Sequence, residues 1–213
     1  MSDGSVTCQI YLISPLDVSG SFGDRLARAI DAGSGLVTAF QFRVKNIDQH
    51  EAARLAEPLI SICAEREVAF IVNDSVALAR RLGADGVHLG QDDGSVREAR
   101  EALGREAQIG VTCHASRHLA MEAGDAGADY VAFGSFFPSE TKASEHRPDP
   151  EILRWWQGLF EIPCVAIGGI TPGNCGPLIE AGADFLAVSQ AVWGADEQGA
   201  VRDFVHAIER AAD

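Results

Sequence analysis

Short apolar runs rich in β-branched and aromatic residues recur along the chain at 8–13, 37–42, 68–72, 86–89, 108–111, 130–133, 164–167 and 185–188. They are apolar nearly throughout instead of alternating with polar positions, which is the pattern of parallel strands covered on both faces. The segments between them follow a helical period: Ala52, Leu55, Ala56, Leu59, Ile62 and Cys63 fall on one face of a helix. Gly83-Ala84-Asp85, Gly127-Ala128-Asp129 and Gly182-Ala183-Asp184 each follow a helical stretch and precede a strand. Glycine fits the left-handed position that ends a helix. Strand and helix therefore alternate, and eight such units in 213 residues predict a single-domain (β/α)8 TIM barrel over residues 1–213, with few insertions and its active site at the C-terminal ends of the strands. A doubly wound open sheet shares the alternation, because periodicity does not encode closure. No GxGxxG follows the first run, which weakens the dinucleotide-binding form of that alternative.

Composition adds limits. The chain is 46% hydrophobic and 23% charged, the balance of a globular protein with a sizeable core. A net charge of −14 argues against a broad nucleic-acid or anionic-membrane surface, so an anionic ligand has to be held by local groups. No run approaches the ~18 apolar residues of a membrane-spanning helix. Residues 1–7 lack the basic and apolar blocks of a signal peptide, and a cytoplasmic protein is expected. Cys8, Cys63, Cys113, Cys164 and Cys175 are widely spaced with no CxxC pair, and read as reduced, mostly buried thiols. Nothing in the pattern specifies an oligomeric state.

In a barrel, chemistry gathers where strands run into loops at the C-terminal face. Polar residues cluster at those points. Gln41, Arg43 and Lys45 follow the second strand, Asn73 and Asp74 the third, and His88 with Gln91, Asp92 and Asp93 the fourth. Thr112 and His114 follow the fifth, Ser139, Glu140, Thr141 and Lys142 the sixth, Gly168 and Gly169 the seventh, and Ser189 and Gln190 the eighth. Asp74 and Asp93 lie on consecutive strand ends, where two carboxylates can converge on a hard cation such as Mg²⁺, with Asp92 as a further neighbour. The competing reading makes Asp74 the cap of the helix starting near Ser75. Lys45 and Lys142 are the only lysines, and a compact ammonium suits a phosphate or a leaving oxygen; an arginine-biased composition is the alternative explanation. Gly168-Gly169, a helix starting near Pro172 and the Ser189-Gln190 strand end match the place where barrels hold a phosphate on backbone N–H groups. His88 reads as a structural histidine, and His114 is the candidate for a chemical role.

Several of these segments carry a resemblance. Phe40-Gln41-Phe42-Arg43-Val44-Lys45, Phe70-Ile71-Val72-Asn73-Asp74, Gly86-Val87-His88-Leu89-Gly90-Gln91-Asp92-Asp93, Pro138-Ser139-Glu140-Thr141-Lys142 and Ala166-Ile167-Gly168-Gly169-Ile170-Thr171 resemble, in order and over nearly the whole chain, the thiamine phosphate synthase family. The resemblance implies a (β/α)8 barrel and a transferase of thiamine biosynthesis. It would join 4-amino-2-methyl-5-hydroxymethylpyrimidine diphosphate to 4-methyl-5-(2-hydroxyethyl)thiazole phosphate, with Mg²⁺ as cofactor and pyrophosphate leaving dissociatively. Carried over residue by residue, Gln41, Arg43, Lys45, Asn73, Thr112 and Lys142 would hold the pyrimidine diphosphate. Asp74 and Asp93 would ligate Mg²⁺. Ser139, Thr141, Gly169, Ser189 and Gln190 would bind the thiazole phosphate, and Arg43, Lys45 and Lys142 would stabilise the departing charge. The partners implied are small phosphorylated substrates, with neither nucleic acid nor membrane. Thr112 stands where the family often has Ser, Ser139 where it often has Thr, Val44 replaces a frequent Glu, and Ser189-Gln190 replaces an Ile-Ser pair. Two rival readings are a thiazole tautomerase-like relative using His114 as acid/base, and a non-catalytic binder of a thiamine intermediate.

Overall fold

The computed structural model describes residues 8–138 and 147–212. Within them the order is β1 (Gln9–Ile13), α1 (Phe22–Asp31), β2 (Val37–Phe42), α2 (Gln49–Ala64), β3 (Ala69–Asn73), α3 (Val76–Leu82), β4 (Gly86–Leu89) and α4 (Val96–Leu103). There follow β5 (Gln108–His114), α5 (Arg117–Asp125), β6 (Tyr130–Gly134), α6 (Glu151–Gln157), β7 (Cys164–Ile167), α7 (Gly176–Glu180), β8 (Phe185–Val188) and α8 (Glu197–Ala212). Each strand pairs in parallel with its neighbour in sequence, and β1 also pairs with β8. The barrel is closed, which settles the point that hydrophobic period left open. No helix among the described residues is long and apolar enough to cross a membrane.

Closure creates two apolar regions. Outward-facing strand residues such as Phe40, Phe42, Phe70 and Phe133 pack against helix residues such as Leu26, Leu59, Trp156 and Phe204, all essentially inaccessible. Alternate residues point into the barrel, where Tyr11, Ile13, Ile71, Tyr130, Ala132, Val165 and Ala187 form a separate cluster. Two tyrosines fit there because several facing positions are small. A Cβ on Gly110 would overlap the Tyr130 ring. Tyr11, Ile71 and Tyr130 also wall a cavity of about 840 Å³ at the N-terminal end of the barrel, so the tyrosine pair separates that end from the C-terminal mouth.

The repeated Gly-Ala-Asp segments do more than end helices. Gly83, Gly127 and Gly182 do take left-handed conformations after their helices. The aspartates then clip each unit to the strand before it. The N–H groups of Asp85, Asp129 and Asp184 donate to the carbonyls of Phe70, Ile109 and Cys164 at 3.0, 2.8 and 3.0 Å. Their carboxylates accept the N–H groups of those same three residues at 2.7, 2.6 and 2.7 Å. Each carboxylate thereby satisfies a backbone donor at the start of β3, β5 or β7, and Asp129 also pairs with Arg100 at 2.6 Å. Asp129→Ala leaves the Ile109 N–H and the Arg100 guanidinium without this acceptor. It is expected to destabilise the fold by about 1.5–3 kcal/mol, the range for a hydrogen bond to a charged group. Urea unfolding measures this; a midpoint equal to that of the parent protein would mean that the clip is replaceable.

Two departures from the sequence-based expectation bear on the site. β5 runs on to His114, with an irregularity between Thr112 and His114, so Thr112 lies inside the strand and not beyond its end. The helix expected from near Pro172 begins at Gly176. The intervening residues form a turn in which Asn174 Oδ1 accepts the Thr171 N–H at 2.8 Å and Asn174 Nδ2 donates to the Gly169 carbonyl at 3.0 Å. An asparagine side chain substituting for backbone partners explains why helix formation is delayed.

Candidate active site

The C-terminal mouth is organised from β1 outward. Ser14, 1% exposed, follows the last residue of β1. Its N–H donates to the Gln41 carbonyl at 2.9 Å, its hydroxyl donates to the Arg43 carbonyl at 3.1 Å, and its Oγ accepts the Arg43 N–H at 2.8 Å. These bonds hold the stretch where β2 delivers Gln41, Arg43 and Lys45 to the rim. Ser14 is not among the candidates named from the sequence; a serine closing an apolar run is its only local signal.

An acidic pair lies next to those cations. The cap of α3 is Ser75, whose side chain accepts the Leu78 N–H at 3.2 Å, so Asp74 is not needed for capping. Asp74 instead adopts a left-handed backbone (φ 64°), uncommon for a non-glycine residue, and its N–H donates to the His88 carbonyl at 2.8 Å. Burial pushes its carboxyl pKa up, and the charge of Asp93, within hydrogen-bonding reach, adds to the rise; Lys45 and Arg43 oppose it. Asp93 is exposed, and its Oδ2 accepts the Gly90 N–H at 2.9 Å. Arg43, Lys45, Asp74 and Asp93, from three successive strand ends, are thus brought together. Asp92 is exposed and makes no hydrogen bond or ion pair among the described residues. Asn73, half-buried, lies beside His88 in the β3–β4 register.

Beneath this rim a polar network crosses the barrel. Gln41 Nε2 donates to Tyr11 Oη at 3.1 Å, and Tyr11 Oη lies 2.8 Å from Tyr130 Oη. Tyr130 Oη is 3.1 Å from His88 Nδ1, and His88 Nε2 is 2.8 Å from Thr112 Oγ1. His88 also stacks on Tyr130, with centroids 5.6 Å apart. Burial pushes Tyr11 up to about 12 and Tyr130 well above its ordinary value, so both hydroxyls keep their protons. Burial also lowers His88 to about 4, outweighing the opposite pull of Asp93, and His88 is a neutral structural histidine. Neither tyrosine was singled out from sequence, since each sits within an apolar run. The His114 side chain, by contrast, is exposed and enters no hydrogen bond among the described residues, while its backbone pairs with Phe133 in the β5–β6 ladder.

The lowered His88 pKa carries a stability prediction. Its unfolded value near 6.5 exceeds the folded value near 4, so the unfolded chain binds the extra proton between those limits and stability falls as pH drops from 6.5 to 4. The shift corresponds to about 3 kcal/mol across the window. The thermal midpoint should fall over this range, with a shallower slope in His88→Gln, which retains hydrogen-bonding capacity without titrating. Identical slopes in the two proteins would refute this origin.

On the opposite side of the mouth, Gly168 and Gly169 have φ of 103° and 62°. Their carbonyl side is engaged, since the Phe137 N–H donates to the Gly168 carbonyl at 3.0 Å, whereas the N–H groups of Gly169 and Ile170 make no hydrogen bond among the described residues. The β8 exit is fastened to β1: Trp193 Nε1 donates to the Ile13 carbonyl at 2.6 Å, and Ser189 Oγ donates to the Ser14 carbonyl at 3.4 Å. The Ser189 hydroxyl thus has a long intramolecular bond to give up before it can serve a ligand. Gln190 is exposed on the same turn. Ser139, Thr141 and Lys142 lie outside the described residues.

Comparisons place this arrangement among known proteins. A family profile described as thiamine monophosphate synthase matches residues 10–192. A thiamine-phosphate synthase from Erythrobacter litoralis (strain HTCC2594) is 71% identical over 213 residues, covering 99% of this chain and 100% of that protein. One from Rhodospirillum centenum (strain ATCC 51521 / SW) is 52% identical over 92% of this chain and 96% of its own length. Among solved structures, a thiamine phosphate pyrophosphorylase from Pyrococcus furiosus superposes with a TM-score of 0.84 at 30% identity, covering 97% of this chain and 98% of that one.

Proposed function

This chain belongs to the thiamine monophosphate synthase family, and on that premise we propose that the C-terminal mouth of its barrel, within one domain spanning 1–213, is the active site. The chain is a transferase that condenses 4-amino-2-methyl-5-hydroxymethylpyrimidine diphosphate with 4-methyl-5-(2-hydroxyethyl)thiazole phosphate, forming thiamine phosphate and pyrophosphate. The observation that carries the site assignment is the meeting of Arg43 and Lys45 with Asp74 and Asp93 on one rim. Two cations and two carboxylates together suit a diphosphate that arrives with a divalent ion.

The donor set fits Mg²⁺. Two carboxylates, one of them partly buried, lie within hydrogen-bonding reach of each other, and both offer hard oxygen. No group of three or more His, Cys, Asp or Glu side chains suited to a metal occurs among the described residues. Mg²⁺ is commonly held by one or two carboxylates together with substrate phosphates and water. When bound, the ion supplies positive charge against the diphosphate as its bond to carbon breaks.

The chain's own residues do the rest. Arg43 and Lys45 hold the diphosphate oxygens and stabilise charge that grows as they depart, and Lys142 adds a third cation to that role. Gln41 and Thr112 orient the pyrimidine, and Asn73 supplies a further polar contact beside them. Gly169, together with Ser139, Thr141, Ser189 and Gln190, receives the thiazole phosphate. The thiazole nitrogen captures the pyrimidine carbon, so no protein nucleophile is needed. The five free, buried cysteines agree with a cytoplasmic enzyme. The deciding experiment combines purified protein, both substrates and Mg²⁺ and measures thiamine phosphate. Product formation that stops when either substrate is omitted supports the reading; no product at saturating substrate overturns it.

A further inference from the structure

The hydrogen-bond network beneath the rim has a property that its members lack singly. Each tyrosine hydroxyl carries one proton, and neutral His88 carries one N–H, so each can donate only once. With Gln41 Nε2 donating to Tyr11 Oη, the Tyr11 proton must go to Tyr130 Oη and the Tyr130 proton to His88 Nδ1. The imidazole proton then sits on Nε2 and is given to Thr112 Oγ1, leaving the Thr112 hydroxyl proton to point elsewhere. Gln41 Oε1, which makes no hydrogen bond among the described residues, remains an acceptor. Turning the Gln41 amide over reverses every step, so that Gln41 presents a donor and Thr112 an acceptor. Any mixed arrangement places two protons, or none, between buried neighbours and leaves a polar group unsatisfied.

We propose that Tyr130 is a positioning residue whose hydroxyl, with Tyr11 and His88, forces Gln41 and Thr112 to present opposite hydrogen-bonding polarity to the pyrimidine substrate. This rests on the placement of the pyrimidine at Gln41 and Thr112 given above. A 4-aminopyrimidine offers an N–H donor at its amino group and acceptors at its ring nitrogens. A pocket with one acceptor and one donor of linked sign matches such a ring in one orientation. The relay reaches both contacts without itself touching substrate. Tyr130 is its central junction: Gly110 leaves room for the ring, which stacks on His88 and meets Tyr11 edge-on at 5.9 Å.

Tyr130→Phe keeps the ring and removes the junction. The test measures KM for each substrate, the thermal midpoint, and the His88 ring-nitrogen resonances by ¹⁵N NMR, which distinguish a proton on Nε2 from one on Nδ1. In the wild type with pyrimidine diphosphate and Mg²⁺ bound, a single tautomer protonated on Nε2 is expected. In Tyr130→Phe, the resonances should move toward a mixture of tautomers. KM for the pyrimidine diphosphate should rise between about twofold and tenfold, the span of one net hydrogen bond, with KM for the thiazole phosphate unchanged. An unchanged tautomer and unchanged KM values would overturn the proposal. So would an equal rise in both KM values with a lowered midpoint, which marks a packing role. If Tyr130→Phe does not fold, Tyr11→Phe cuts the relay on the Gln41 side and should raise the same KM alone; no rise there also overturns it. Failure of the wild type to make thiamine phosphate would instead refute the functional reading, while the His88 tautomer in the free proteins still tests the relay.

Discussion

Asp93→Asn is expected to lower turnover by at least about 100-fold, the scale seen when a preorganised charge at a reacting centre is removed, and Asp74→Asn should behave alike. Asp74 and Asp93 face each other at one rim, and burial together with the Asp93 charge raises the Asp74 pKa. A carboxyl whose folded pKa is raised contributes stability at low pH and loses that contribution as pH rises through the folded value, so the ionised pair is a burden at neutral pH. On the proposed reading, a divalent cation held by the two carboxylates would turn that burden into a binding site. Asp93→Asn therefore has a two-part signature. The metal-free variant should melt no lower than the metal-free parent, because repulsion is relieved, whereas the rise in midpoint on adding Mg²⁺ should largely disappear. Chelation should abolish parent activity and Mg²⁺ should restore it. Full turnover in excess chelator, or an Asp93→Asn variant with unchanged activity and unchanged response to Mg²⁺, would remove the two aspartates from the metal site.

Gly169→Val should be the most damaging substitution on the proposed thiazole-phosphate side, for two reasons that act together. The backbone at Gly169 has a φ of 62°, a region costly for a β-branched residue, and an added Cβ would lie 2.8 Å from the Phe137 carbonyl oxygen and overlap that of Pro138. Left-handed strain of about 1–3 kcal/mol and crowding of about 1–3 kcal/mol give a loss on the order of 2–6 kcal/mol. In a chain of this size that lowers the melting midpoint by about 5–20 °C. Residues 136–138 would also be pushed aside, and in the chain they directly precede Ser139, Thr141 and Lys142. A valine there would both block the approach of a phosphate to the backbone N–H groups and collide with the chain itself. Gly169→Ala retains the strain and the Cβ contact without the branch and should fall between the two. A Gly169→Val protein that melts like the parent and keeps its KM for the thiazole phosphate would refute both reasons.

What the amino-acid sequence determined by itself is whatever repeats locally. Apolar runs mark strands to within a few residues, because burial on both faces imposes a nearly continuous apolar pattern wherever the run lies. Glycines after α3, α5 and α7 mark helix ends, because a left-handed backbone imposes a residue type. Polar residues at successive strand ends place Asp74 and Asp93 near each other once a parallel barrel is assumed. Tertiary structure alone decided which groups meet across the barrel. Tyr11 and Tyr130 are 119 residues apart and look like ordinary strand residues, yet closure brings their hydroxyls to 2.8 Å. Asp129 follows a helix-ending glycine, but its partner is the backbone of Ile109, 20 residues earlier. Asp74 can be read as the cap of α3 until Ser75 is seen to do the capping. The physical reason is common to all three: a hydrogen bond depends on distance and direction to a fraction of an ångström, and for residues far apart in the chain these are set by the packing of every element between them.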